Sequence, residues 1–122
     1  MRITRGADLT TTPMEPDNFS GPARRKDYGR IEQWPLSPLV VSFEAGARTS
    51  WHRHSQGQVL FVLEGRGRVG ARGEESAELV SGDFVYAPPG EEHWHGAAEG
   101  SSVSHVALSF GETEWLEPVE ES

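Results

Sequence analysis

Short stretches in which apolar and polar residues alternate make up most of this chain, and glycine and proline separate them. The clearest apolar stretches are residues 39–44, 58–63, 84–87 and 103–110. Successive side chains of a strand point to opposite faces, so alternate residues from Val103 to Ser109 share one face. No stretch carries apolar residues at helical spacing over the length of a helix. Many short strands joined by Gly and Pro turns predict an all-β sandwich or barrel.

Between these stretches, weaker alternation and turn residues predict further strands and turns. A strand is predicted around 48–54, another over 76–80, and a third from His93 to Ala97. Residues 66–72 lie among four glycines and are predicted as a separate hairpin strand with its turn. Trp115-Leu116 is predicted to pack back on the body of the protein as a short terminal element.

The length of 122 residues predicts one domain, with residues 1–15 as an N-terminal arm and residues 16–122 as the barrel. The basic run Arg24-Arg25-Lys26 is placed in a loop, because short charge runs are typical of solvated surface.

Charge and residue content exclude several classes of protein. The chain carries 19 Asp and Glu against 11 Lys and Arg, a formal net charge of −8. Nucleic-acid binding requires a basic face, so no nucleic-acid partner is expected. The absence of cysteine excludes disulfides and thiolate ligands. No segment has the character of a signal peptide or the length of a membrane span, which predicts a cytoplasmic protein with no membrane partner.

The stretch from Gly46 to Gly65 concentrates side chains that can bind a metal ion. His52 and His54 lie two residues apart, on one face of a predicted strand, and Gln58 follows the small polar turn 55–57. A returning strand would place Gln58 beside the two histidines. Two imidazoles and an amide oxygen at one point are typical of a metal site.

A second stretch, residues 82–97, supplies His93 and His95, and His105 lies on the last predicted strand, facing the same lumen. These three and the earlier pair are all the histidines of the chain, and inward imidazoles without partners would be costly to bury. His95 lies one pleat, roughly 7 Å, beyond His93, so it is predicted beside the metal, where it could accept a proton. A structural role, orienting a ligand, is the alternative for His95 and His105.

The spacing within both stretches resembles the paired motifs of the cupin superfamily. The first motif is met by Gly46, His52, His54, Gln58 and Gly65. The second is met by Gly82, Pro88, Gly90 and His93, with Ala97 where the family usually has Asn. This resemblance implies a small, single-domain cupin jelly-roll β-barrel (a double-stranded β-helix), often a homodimer, with one divalent metal in its lumen.

A narrower resemblance rests on TSWHRHSQGQ, PGEEHWHGAA, SHVALS and WLEPV. These segments are similar to the bacterial cupin group that includes the manganese-dependent hydroxynitrile lyases. The resemblance implies that His52, His54, Gln58 and His93 are metal ligands. It also implies that His95 and His105 are catalytic groups beside the metal. Those lyases carry a Gln four residues after the histidine of the last strand, where this chain has Ser109.

Gln58 affects the expected chemistry because it is neutral. An acidic residue there would cancel one charge of the metal, whereas four neutral ligands leave a divalent ion its full charge for Lewis-acid work. The alternative is that Gln58 is a tolerated variant of the acid.

Manganese is the first choice of cofactor, with Fe, Zn, Ni and Co as alternatives. The lumen is predicted to be apolar and to take a small-molecule substrate, with wall candidates Val41, Phe43, Leu60 and Val62.

The sequence therefore predicts a metal-dependent enzyme, most specifically a lyase that cleaves and forms cyanohydrins. In this hypothesis His95 removes the hydroxyl proton and His105 helps to hold the departing cyanide. An Fe(II)-dependent dioxygenase with the same ligands is the first alternative, and oxygen uptake would distinguish it. A non-catalytic cupin that uses its metal to bind a ligand is the second, and tight binding without turnover would distinguish it.

Overall fold

The computed structural model describes residues 1–120 of the chain. Within this range the protein consists of strands and two 3-10 helices, Gly6–Asp8 and Pro16–Asn18. The strands are β1 (Thr12–Pro13), β2 (Phe19–Ser20), β3 (Ala23–Asp27), β4 (Leu36–Phe43), β5 (Arg48–Thr49), β6 (His52–His54), β7 (Gln58–Ala71), β8 (Ala77–Val80), β9 (Phe84–Ala87), β10 (His93–Ala97), β11 (Val103–Phe110) and β12 (Thr113–Trp115). The all-β prediction is confirmed.

The long strand β7 links the two halves of the sheet. Its first half pairs with β11 and β9, and its second half pairs with β10 and β8, all antiparallel. The strand order β1-β3-β4-β11-β7-β10-β5-β2 curls into a barrel-like sheet, with β6 added beside β10 and β12 beside β6. Gly65 lies in mid-strand with φ of 83°, where a Cβ would collide with the Ser102 carbonyl oxygen. Only glycine therefore allows this close approach of β7 to the loop before β11.

The separate hairpin strand predicted at 66–72 is wrong, because residues 66–71 continue β7 without a break and residue 72 lies in the turn that follows. The glycines that suggested a turn have a packing role instead. A Cβ on Gly67 would lie 2.9 Å from the Gly96 carbonyl oxygen, and one on Gly70 would overlap the Trp94 indole. Glycine inside a strand commonly marks such a close approach.

The loop predicted around Arg24, Arg25 and Lys26 is also wrong, because these residues form most of β3. β3 pairs with β1 on one side and with β4 on the other. Its backbone hydrogen-bonding groups are thus satisfied by strands that are distant in sequence, which no local charge pattern reveals.

The core lies on the inner face of the curled sheet. The predicted wall residues Val41, Phe43, Leu60 and Val62 are all at most 3% exposed and belong to one hydrophobic cluster, which confirms their inward orientation. The outer face is different: Phe61, Leu63, Phe84 and Tyr86 are 41–64% exposed. Among residues 1–120, no helix is long and apolar enough to span a membrane.

Candidate metal centre

The short strand β6 presents His52 and His54 to the interior and Arg53 to the outside. Both histidines are buried, as the alternation of side chains along a strand requires. After β6 the chain turns at Gly57, whose N–H donates to the His54 carbonyl oxygen over 3.1 Å and whose φ is 95°. This turn places Gln58, the first residue of β7, back beside the two imidazoles.

Strand β10 brings the third histidine into the same group. His93 lies opposite His52 in the antiparallel register, and the two ring centroids are 4.5 Å apart. The His93 ring centroid lies 5.6 Å from that of His54. Its Nε2 lies 2.8 Å from Oε1 of Gln58. The four predicted ligands therefore come together in one buried cluster.

Hydrogen bonds from Nδ1 hold the rings of these three histidines. His52 donates to the Ser50 carbonyl oxygen over 2.9 Å, and His93 donates to the Glu91 carbonyl oxygen over 3.0 Å. The Nδ1 of His54 lies 2.9 Å from the hydroxyl oxygen of Thr113 on β12, which can accept the Nδ1 proton. A neutral imidazole carries one proton, so each Nε2 is left with a free lone pair, the arrangement typical of histidines that bind a metal.

Two features of this cluster fit a divalent cation. The Nε2 of His54 is buried and has no hydrogen-bond partner among the described residues. When the single proton of neutral His93 lies on Nδ1, facing the Glu91 carbonyl oxygen, its Nε2 and the carbonyl-type Oε1 of Gln58 meet at 2.8 Å as two lone pairs. A cation bound between these atoms would satisfy both, and nitrogen and amide oxygen are suitable ligands for Mn, Fe or Zn.

Burial keeps these imidazoles neutral, which ligands to a metal must be. Burial, together with the neighbouring His93, lowers the pKa of His52 from 6.5 to about 3. The same two causes lower the pKa of His54 to about 4. Burial also lowers the pKa of His93. At neutral pH the cluster therefore carries no charge of its own.

His95 and His105 form a second buried pair against the first cluster. Nε2 of His105 lies 3.1 Å from Nδ1 of His95, and Phe43 packs against both rings. One ring nitrogen each of His52, His93 and His95 lies within 4.8 Å of the other two, a spacing that could also hold a metal ion. Burial and then the neighbouring His105 lower the pKa of His95 well below 6.5, and burial lowers that of His105 to about 4.

A cavity of about 150 Å³ opens beside these histidines. The indole of Trp115 covers it, with its ring centroid 4.6 Å from that of His52 and 5.9 Å from that of Phe19. The prediction that the Trp115 segment packs back on the body is confirmed. The lining residues are Met14, Phe19, Arg25, Leu39, Val41, Thr49, His52, His54, Gln58, His95, Ala107, Ser109, Thr113 and Trp115.

The structure thus gathers all six predicted site residues and adds three that sequence reasoning missed. Thr113 and Trp115 come from β12, and Arg25 comes from β3. Alternation along β3 carries a weak signal for Arg25, because it lies two residues after Ala23, which is buried. No local pattern pairs Thr113 with His54, since that contact joins two strands 59 residues apart.

Known proteins match both the sequence and the fold. The model of the cupin domain family matches residues 39–109. The chain belongs to this family. It is 42% identical to an (R)-mandelonitrile lyase of Granulicella tundricola over 127 aligned residues, which cover 98% of this chain and 95% of that protein. The predicted resemblance to the cupin superfamily and its lyase group is thereby confirmed.

Solved structures agree with the cupin barrel. A cupin-like protein of Thermotoga maritima superposes with a TM-score of 0.85 at 37% identity, covering 89% of this chain and 86% of its own. The polyketide cyclase RemF of Streptomyces resistomycificus superposes with a TM-score of 0.79 at 15% identity, covering 100% of this chain and 87% of its own, a likeness of fold alone. Together with the three-histidine group, these matches support a metal-dependent enzyme of the cupin family.

Proposed function

We propose that this cupin is a metal-dependent lyase that cleaves cyanohydrins into a carbonyl compound and hydrogen cyanide, and that forms them in reverse. The 42% identity to a mandelonitrile lyase over nearly the whole chain supports this reaction. The observation that carries the proposal is the buried His95–His105 pair beside a donor set that contains no carboxylate. With His52, His54, Gln58 and His93 as the ligands, this pair is not needed to hold the metal and could transfer protons.

The proposed ligands are His52, His54, Gln58 and His93, with manganese as the first choice of metal. The bound cation would supply Lewis-acid polarisation of a substrate oxygen. Because all four donors are neutral, its charge would stay undiminished. Ser50, Glu91 and Thr113 would hold the histidine rings in place through the Nδ1 hydrogen bonds described above.

His95 is the proposed general base. If its Nδ1–H donates to Nε2 of His105, its own Nε2 keeps a lone pair and can accept the hydroxyl proton of the substrate. The carbon–cyanide bond then breaks, the oxygen becomes a carbonyl oxygen, and the cyanide leaves with the bonding electrons. His95 passes the proton to the cyanide, which leaves as hydrogen cyanide. The lowered pKa of His95 favours this return of the proton.

Metal content and mandelonitrile cleavage test this proposal together. The full-length protein is stripped, loaded separately with Mn, Fe or Zn, and assayed for release of benzaldehyde. We expect cleavage to disappear on chelation and to return with Mn. A protein that binds metal but cleaves mandelonitrile in none of its forms would refute the lyase assignment, and oxygen uptake would then test the dioxygenase alternative.

The His95→Ala variant separates the two possible roles of His95. We expect it to retain its metal and lose mandelonitrile cleavage, because a base is removed and the four proposed ligands remain. Loss of metal from this variant would show instead that His95 is a ligand together with His52 and His93, whose ring nitrogens lie within 4.8 Å of it. Unchanged cleavage would remove His95 from the mechanism.

We also propose that two copies associate through the outer apolar face formed by Phe61, Leu63, Phe84 and Tyr86. Side chains of β7 and β9 alternate so that one set enters the core and this set stays exposed. Contiguous exposed apolar residues on a small protein are typical of an interface. We further propose that this homodimer is located in the cytoplasm.

A further inference from the structure

Arg25 extends from the wall of the barrel into the cavity that holds the proposed metal ligands. In the antiparallel register of β3 and β4 it lies directly opposite Val41, and opposed residues share a face of the sheet. Val41 is buried, and both residues line the cavity with His52 and His54. The next residue back, Arg24, is exposed on the other face of the same strand.

The guanidinium of Arg25 has no hydrogen-bond or ion-pair partner among residues 1–120. Its Nε is buried and lacks a hydrogen-bond acceptor, and no hydrogen bond or ion pair within residues 1–120 reaches the rest of the group. Several other arginines form ion pairs: Arg53 with Glu114, Arg66 with Glu78, and Arg72 with Glu92 and Glu117. A half-buried guanidinium that lacks an acceptor is costly, and a ligand that supplies one would remove that cost.

The charge that lines the cavity is consequently positive only. None of the described residues that line it is an Asp or a Glu, and the imidazoles among them are neutral at neutral pH. Arg25 thus gives the cavity a fixed positive charge, in a chain whose net charge is −8. A divalent cation held by neutral ligands would increase this positive charge further. Such a cavity is electrostatically complementary to an anion.

We propose that Arg25 is a substrate-binding residue and that the preferred substrate of this cavity is a small cyanohydrin that also carries a carboxylate group. The planar guanidinium presents parallel N–H donors that match the two oxygens of a carboxylate. The volume of about 150 Å³ suits a compact molecule. This inference rests on the proposed function, because it names the class of substrate that the same site accepts. A neutral cyanohydrin would use the histidines without the contact to Arg25.

Binding of lactate and lactamide tests the inference, because the two compounds share a skeleton and a hydroxyl group and differ in charge. Their affinities for the metal-loaded full-length protein are measured by calorimetry. We expect lactate to bind more tightly than lactamide. In Arg25→Met the affinity for lactate should fall about 10- to 100-fold, the value of a charge-assisted hydrogen bond, with lactamide unchanged.

Three further variants complete the design. Arg24→Met, on the outer face of the same strand, should leave both affinities unchanged. Arg25→Lys should restore part of the lactate affinity, since it keeps the charge and loses the planar donors. Arg25→Gln replaces Arg25→Met if the latter fails to fold, although removal of an unpartnered charge should leave the unfolding temperature equal or higher.

Equal affinity for lactate in the wild-type protein and in Arg25→Met would overturn the inference. A parallel loss of lactamide affinity would overturn it as well, because Arg25 would then only shape the cavity. Mandelonitrile cleavage is assayed on the same preparations. Absence of cleavage with Arg25-dependent lactate binding would refute the proposed reaction alone, and cleavage without any preference for lactate would refute the role of Arg25 alone.

Discussion

Ser109 stands where the lyases that this chain resembles carry a Gln, and its hydroxyl has a positioning role. Gln58 donates from Nε2 to the Ser109 hydroxyl oxygen over 3.0 Å. With Nε2 bonded to Ser109, Oε1 of Gln58 points to Nε2 of His93, 2.8 Å away. At the scale of single residues, Ser109 thus contacts a proposed metal ligand, and we expect it to position that ligand.

Replacement of this hydroxyl should weaken metal binding. In Ser109→Ala we expect a roughly 10-fold loss of metal affinity, the lower end of the range for partners of metal ligands, because the Gln58 amide can then rotate. Competition with a chelator measures the affinity. Ser104→Ala is the matched control on the same strand, since the Ser104 hydroxyl bonds to Ser42 away from the cavity. Equal affinity of both variants and the wild type would contradict the role of Ser109.

The buried histidines should make the metal-free protein sensitive to acid. The pKa values of His52 and His54 are about 3 and about 4 in the folded chain and 6.5 ordinarily, so below pH 6.5 the unfolded chain binds more protons. Their contribution to the free energy of unfolding is complete above pH 6.5. It is lost as the pH falls toward 4, by about 1.4 kcal/mol per pH unit for each histidine.

Thermal unfolding of the metal-free protein at pH 7 and pH 5 measures this effect. The unfolding temperature should be lower at pH 5, and His54→Gln should reduce the difference. An unfolding temperature that does not change between the two pH values would show that the imidazoles are not neutral in the folded chain.

At the scale of elements, β12 closes the site from outside. Its three residues pair with β6, so Thr113 lies opposite His54 and Trp115 lies opposite His52. The strand holds the proposed ligand His54 through a hydrogen bond and covers the proposed ligand His52 with an indole ring. Solvent access to the centre consequently depends on a short, exposed strand near the end of the chain.

Removal of the indole should open the centre. In Trp115→Ala we expect chelators to extract the metal several-fold faster, because the apolar cover of His52 controls solvent access. The rate of metal transfer to a coloured chelator measures this. Trp34→Ala is the control, since Trp34 is 66% exposed and does not line the cavity. Equal extraction rates in the two variants would show that β12 does not limit access.

At the scale of the whole molecule, the proposed dimer would cover the exposed face of β7 and β9. Light scattering after size exclusion should give a mass of twice the 13.4 kDa of one chain. The double variant Phe84→Ser, Tyr86→Ser should give the monomer mass, because both side chains are more than 60% exposed and lie outside the core. A stable interface buries about 800 Å² per partner, which four large apolar side chains and their neighbours can supply.

A pair of exposed apolar residues outside β7 and β9 controls for solubility effects. Ile3→Ser, Trp34→Ser also removes two exposed apolar side chains but leaves β7 and β9 intact. We expect it to keep the dimer mass. A wild-type mass of one chain would refute the dimer, and a dimer that survives the change of Phe84 and Tyr86 would place the interface elsewhere.

The sequence by itself determined the all-β class, the bounds of β9, β10 and β11, and the histidines of the centre. Each of these follows from the period of two along a strand, which is a local property. His52 with His54, and His93 with His95, could be assigned to common faces without knowledge of which strands are neighbours. The motif spacing then identified the family.

Only the tertiary structure decided which strands lie side by side, and several features of the site depend on that. Arg25 faces the cavity because β3 pairs with β4, and Ser109 reaches Gln58 because β11 pairs with β7. Trp115 covers His52 because β12 pairs with β6. The register between strands that are distant in sequence depends on packing over the whole barrel, so no local pattern of residues carries it.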